Sequence, residues 1–181
     1  MRKVIFAINT SIDGYVHYAN FSPGEDVFEY FNDLMAEFDL IVYGRKMYEI
    51  MFPYWADEAN WDNKLDIEFG QTITAVDKIV FSRTLESAEY NTRIVRTDPV
   101  AELRKLKQAP GKSISLSSVS MLPELAKAGL VDEFRFVVHP GLVGRGPRLV
   151  EDGSLAENLK LKLVESRVFK SGAVALRYLK E

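Results

Sequence analysis

With 181 residues, 47% of them hydrophobic and 27% charged, the chain is long enough to bury one sizeable core and too apolar for disorder. Its net charge of -3, from 23 basic and 26 acidic residues, supplies no bulk positive field for nucleic acid or a membrane surface, so any anion site must be a local cluster. There is no cysteine, which removes disulfide frameworks, thiol nucleophiles and thiolate metal sites, and two histidines are too few for a histidine-rich metal site.

Residues 4–8 form a continuous apolar run. It is too short to span a membrane and lacks a small-residue cleavage site after it, so it reads as a strand covered on both faces in a cytoplasmic protein. Residues 9–14 carry turn chemistry. Residues 25–38 predict a helix, with Phe28, Phe31, Met35 and Phe38 at helical spacing and acids on the opposite face. Residues 40–43 predict a strand broken by Gly44-Arg45. A short helix follows over 46–52, stopped by Pro53, and then an aromatic, acidic loop over 54–61. Asp62 is a candidate cap for a helix through Phe69.

Strands are predicted over 78–81 and 93–95. Asp98-Pro99 opens a helix through Lys107, with an N-cap followed by proline in the first turn. A strand over 113–116 leads into Ser117 to Ser120, which cap a helix ended by Gly129. A strand over 133–138 precedes a glycine-rich loop over 140–147. Residues 159–169 and 173–179, joined by Lys170-Ser171-Gly172, read as an antiparallel hairpin. No linker or repeat divides the chain, so residues 1–181 are expected to form one domain. Strands alternating with helices and ending in a hairpin predict an α/β fold: a mixed, mostly parallel sheet covered by helices, with ligands bound at the carboxyl ends of strands.

Four strand ends carry anion-friendly chemistry. Gly44-Arg45-Lys46 opens a helix, whose free N–H groups suit an anion, and an arginine grips phosphate with two donors. The same residues also read as an ordinary turn with two solvated bases. Ser82-Arg83 after Phe81 can hold a second phosphate or a ribose edge, or be a polar strand end. The Ser117-Ser118-Val119-Ser120 turn can cap a helix, bind phosphate, or do both. Gly141 to Gly146 holds a Gly-x-Gly that lacks the context of a dinucleotide fingerprint. Asp13, in Ser11-Ile12-Asp13-Gly14, can assist proton transfer, although an Asp-Gly turn is the plainer reading. His17 and His139 read as surface or packed histidines. Phe52, Tyr54, Trp55 and Trp61 either wall a planar ligand's pocket or pack as core and lid.

Taken in order, Ser11-Ile12-Asp13-Gly14, Gly44-Arg45-Lys46-Met47-Tyr48-Glu49, Lys78 to Leu85, Gly129-Leu130-Val131-Asp132-Glu133 and Pro140 to Gly146 resemble the dihydrofolate reductase-like family, specifically the C-terminal reductase domain of the bifunctional riboflavin biosynthesis enzyme. The resemblance covers nearly the whole chain. It implies a three-layer α/β/α fold, NADPH as cofactor, and a tendency to form homodimers. It further implies that the backbone near Ala7 and Ile8 lies beside the nicotinamide, and that Gly44, Arg45, Lys46 and Met47 meet the phosphates. Phe81, Ser82 and Arg83 would meet the adenosine end with its 2′-phosphate, and Ser117, Ser118, Val119 and Ser120 would cover the pyrophosphate. Many relatives carry threonine where Met47 stands, and relatives usually carry Gly-Gly or Gly-Ser where Ser117-Ser118 stand.

The expected activity is hydride transfer to a C=N or C=O of a small heterocycle, of riboflavin or folate type, with a proton from water or Asp13. Such chemistry needs no loud catalytic motif, because the cofactor carries the difficult step. A zinc deaminase site like that of the bifunctional enzyme would need cysteine. The alternative is a non-catalytic dimeric protein that holds a nucleotide or small ligand on the same fold.

Overall fold

The computed structural model describes residues 1–17, 21, 23–155 and 157–181. Its centre is an eight-stranded sheet. The strands are β1 (Val4–Ser11), β2 (Phe38–Gly44), β3 (Asp77–Phe81), β4 (Thr92–Val95), β5 (Ser113–Ser117), β6 (Glu133–His139), β7 (Leu161–Val168) and β8 (Val174–Lys180). They lie in the order β4-β3-β2-β5-β1-β6-β8-β7. The six strands from β4 to β6 pair in parallel, and β8 pairs antiparallel to both β6 and β7.

Period-two alternation sends the apolar strand residues into two layers. Ile5, Ile41, Tyr43 and Val80 pack under α1 (Glu25–Met35), α2 (Arg45–Ala56) and α3 (Lys64–Ala75), against Leu34, Phe52, Phe69 and Ile73. Val4, Phe6, Val42, Ile79 and Leu116 pack on the other face, under α4 (Pro99–Gln108) and α5 (Leu122–Lys127), against Leu103, Leu122 and Leu125. The result is the three-layer α/β/α arrangement expected from the sequence.

Several boundaries move. β1 runs to Ser11, because its pairing with β6 continues to Ser11 opposite His139, so the turn starts only at Ile12. α1 stops at Met35, and Phe38 begins β2 with its side chain in the α1–α3 layer. Pro53 does not stop α2, which continues to Ala56 because buried Phe52 and half-buried Trp55 are packed into that same layer. The cap of α3 is Asn63 rather than Asp62. Its side chain accepts from the backbone N–H groups of Leu65 and Asp66, and the helix extends to Ala75. α5 begins at Leu122, so the serine turn lies before the helix rather than inside it, although Ser118 Oγ still accepts from Met121 N. Asp98 caps α4 as expected, accepting from Ala101 N.

Among the described residues no helix is long and apolar enough to cross a membrane, and no three His, Asp or Glu side chains are grouped to hold a metal ion.

Candidate active site

Connections after β1 and β2 pass into the α1–α3 layer, whereas β5, which lies between them, is followed by α5 in the opposite layer. Chain leaving neighbouring strands toward opposite faces opens a crevice at their carboxyl ends. The ladder between β1 and β5 ends at Phe6 opposite Leu116, while β1 stays paired with β6 as far as Ser11. From Ala7 onward β1 therefore keeps β6 on one side and presents an open edge to the crevice on the other. Ala7 and Ile8 are half-buried there.

Beside this crevice lies a cavity of about 480 Å³, lined by Gly44, Arg45 and Lys46 after β2, by Phe81, Ser82, Arg83 and Thr84 after β3, and by Ser120 and Met121. Three separated turns thus converge. Gly44 precedes α2 in extended conformation with no side-chain cap, so the first N–H groups of a 12-residue helix remain available to an anion. Arg45 bridges two of the turns, since its guanidinium donates to Thr84 Oγ1 and pairs with Glu49 at 2.9 Å. Arg83 is exposed, and its guanidinium has no partner among the described residues.

Other expected residues take different roles. Ser82 lines the cavity, but its Oγ accepts from Thr84 N and Leu85 N, so the hydroxyl shapes its own turn. Ser118 is buried behind Gly44, while Ser117 and Val119 are half-buried on its two sides. Met47 turns its side chain into the apolar α1–α3 layer. Arg96, which sequence reasoning missed, donates to Ser82 O at 3.0 Å and Leu85 O at 2.9 Å and clamps the turn. The only signal for it was a lone arginine just beyond β4.

Asp13 lies apart from the cavity. Its carboxylate accepts from Ser11 Oγ at 2.6 Å, from Val143 N at 3.1 Å and from Gly144 N at 2.8 Å. The serine hydroxyl first, and then the two backbone groups, hold its pKa down to about 2. It is an anion that pins the glycine-rich loop to the end of β1, and Gly144 bends at a φ of +71°, where a side chain would be strained. That loop packs over residues 11–15 and is not part of the anion cavity.

The aromatic residues divide as well. Phe52 is core, stacked on Tyr48 at 5.1 Å. Trp61 lies against Gly70 and donates to Trp55 O at 3.1 Å. Tyr54 is exposed. Trp55, with the Phe28 ring centroid 5.7 Å away, is half-buried against the α1–α3 core, as are Phe31 and Met51. A larger cavity, about 710 Å³, opens at the amino ends of β2, β3 and β4. Its basic residues are already engaged, Arg2 with Asp39, Arg93 with Glu102, and Lys78 with the carbonyls of Ile73 and Val76. It offers no comparable grip.

This sheet order, with a crevice at the carboxyl end of β5, defines a dihydrofolate reductase-like protein. The model of the RibD C-terminal domain matches residues 2–175, and the chain belongs to that family. It is 30% identical over 181 residues to the "uncharacterized protein YyaP" of Bacillus subtilis (strain 168), covering 98% of this chain and 94% of that one. Among solved structures it resembles a pyrimidine reductase-like protein of Corynebacterium diphtheriae, with TM-score 0.67 and 14% identity over 99% of this chain and 92% of that one. It also resembles Acinetobacter baumannii RibD (form 2), with TM-score 0.71 and 15% identity over 100% of this chain and 58% of that one. Dihydrofolate reductase of Enterococcus faecalis, complexed with NADP(H), matches with TM-score 0.65 and 10% identity over 99% of this chain and 96% of that one.

Proposed function

We propose that this chain is an NADPH-dependent reductase acting on a C=N or C=O of a small planar heterocycle. The observation that carries this reading is the convergence of the turns after β2 and β3 with the turn leading into α5 on one cavity, beside the open edge of β1. A dinucleotide bound there supplies the hydride. The first turn of α2, with Arg45 and Lys46, meets the pyrophosphate. Arg83, the free guanidinium of the next turn, meets the 2′-phosphate. The unpaired edge at Ala7 and Ile8 offers backbone groups to the nicotinamide end. Phe28 and Trp55 wall the substrate side and exclude water. Asp13 is held ionised by its loop, so water rather than Asp13 delivers the proton.

The test is a thermal-shift titration followed by an NADPH oxidation assay with candidate heterocycles. NADPH at 100 times its Kd should add about 2.7 kcal/mol of stability. Arg83→Ala should weaken NADPH more than NADH, and equal losses would remove the 2′-phosphate assignment. No shift at millimolar NADPH would overturn the reading. Binding without oxidation of any candidate would favour a ligand-holding protein, which the loss of a hydroxyl at Met47 supports. We also take the chain to be a homodimer, since edge strand β7 exposes Leu163, Val164 and Val168. Light scattering at the monomer mass would exclude it.

A further inference from the structure

Asn9 stands two residues beyond Ala7 on β1, on the same face of the sheet and along the same open edge. Its side-chain oxygen lies 2.8 Å from His139 Nε2. His139 is the last residue of β6, is 8% exposed, and stacks its ring on Phe21 with centroids 4.6 Å apart. Burial lowers its pKa, which favours the neutral ring. A neutral imidazole has one N–H, and an amide oxygen as partner places that N–H on Nε2.

The orientation of Asn9 follows. β6 lies on one side of β1 and the crevice on the other, so with Oδ1 turned to His139 the amide nitrogen is left on the crevice side. Asn9 is half-buried, and Nδ2 has no hydrogen-bond partner among the described residues. A half-buried donor held in one orientation by a buried ring is a recognition group that lacks only its acceptor.

We infer that the Asn9 amide donates to a ring carbonyl of the substrate, and that His139 is the positioning residue that fixes the amide. This rests on the reading that the crevice beside β1 takes the substrate. It makes the substrate an oxo-heterocycle that presents a carbonyl toward β1. An amino group at that place would set donor against donor, and a site built around a hydrogen bond rejects such a mismatch strongly.

Two fluorescent probes of equal shape test this: lumazine, with two ring carbonyls, and 2,4-diaminopteridine, with amino groups in their place. Kd is measured for each with and without saturating NADPH. The wild type should favour lumazine by about tenfold or more. Asn9→Asp keeps an acceptor for His139 and puts an acceptor where the donor stood, so the preference should invert. His139→Gln, which retains an N–H for Asn9, should keep the preference, and His139→Phe should abolish it. An unchanged preference in Asn9→Asp, or failure of both probes to bind the wild type, overturns the assignment. NADPH affinity is read in the same samples. Its absence overturns the reductase reading, while the probe preference without NADPH still decides the role of Asn9.

Discussion

Gly44 and Ser118 share one space: a β-carbon on Gly44 would stand 2.5 Å from the Ser118 hydroxyl oxygen and 3.2 Å from its β-carbon. The glycine is required by a neighbouring turn and not by its own dihedral angles, since its φ is -80°. Ser118 is 2% exposed, and its hydroxyl accepts from Met121 N, so it has little freedom to withdraw. Gly44→Ala should cost about 1–3 kcal/mol, as overpacking does. It should cost much less in a Ser118→Gly background. Denaturant midpoints in a double-mutant cycle measure the coupling, and simple additivity would show that the turns are independent.

Arg96 touches no cavity residue except through the backbone it clamps. Arg96→Ala should leave the fold standing and loosen the turn that presents Arg83 and Thr84. NADPH affinity should fall about tenfold, the scale of a lost charge-assisted hydrogen bond. The affinity should be measured beside the thermal midpoint of the unliganded protein. A drop in the midpoint with unchanged affinity would make Arg96 a stability residue only.

Asp13 has a folded pKa of about 2 against an ordinary 3.8. A depressed carboxylate stabilises the folded state above its unfolded pKa, and that contribution is lost as pH falls toward the folded value. The thermal midpoint of the wild type should exceed that of Asp13→Asn by a constant gap at neutral pH. The gap should close between about pH 4 and pH 2. Amide exchange at Val143 and Gly144 should quicken in the variant, and unchanged exchange would remove Asp13 as the pin of that loop.

Glu133, at the amino end of β6, is 1% exposed and accepts from Arg135 Nε at 2.6 Å and from Arg177 at 2.8 and 3.1 Å. Arg135 reaches on to Glu37, just beyond α1, at 2.9 and 3.0 Å. Burial pushes the Glu133 carboxyl up, and the two arginines more than offset this, leaving it below its ordinary value. Glu133→Gln should destabilise by about 3–5 kcal/mol, because two guanidinium groups lose their shared anion. NADPH affinity of the folded fraction should be unchanged, since this cluster lies at the opposite end of β6 from His139. A parallel loss of affinity would connect the two ends.

Residues whose neighbours are close in sequence were legible before any coordinates. Asp98 caps the helix it precedes, the apolar run after Lys3 is a doubly covered strand, and Lys170-Ser171-Gly172 joins a hairpin. Each depends on capping, period-two burial or turn chemistry within a few residues. The grouping of Gly44, Arg45, Lys46, Ser82 and Arg83 was also legible, because parallel strands bring their carboxyl ends to one rim. Pro53 and Phe38 were misread because tertiary packing of the α1–α3 layer outweighed local signals.

Composition, the alternation of strands with helices and the ordered motifs determined the layered fold, the edge of the sheet that carries the site and the family. Tertiary structure alone decided what each polar group faces: Asp13 tied to a loop, Ser82 and Ser118 folded inward, Arg96 clamped on a backbone, and Asn9 turned by His139. The reason is physical. Those partners lie as many as 131 positions apart along the chain, and a hydrogen bond depends on a few tenths of an ångström of placement that only register, layer packing and loop closure fix.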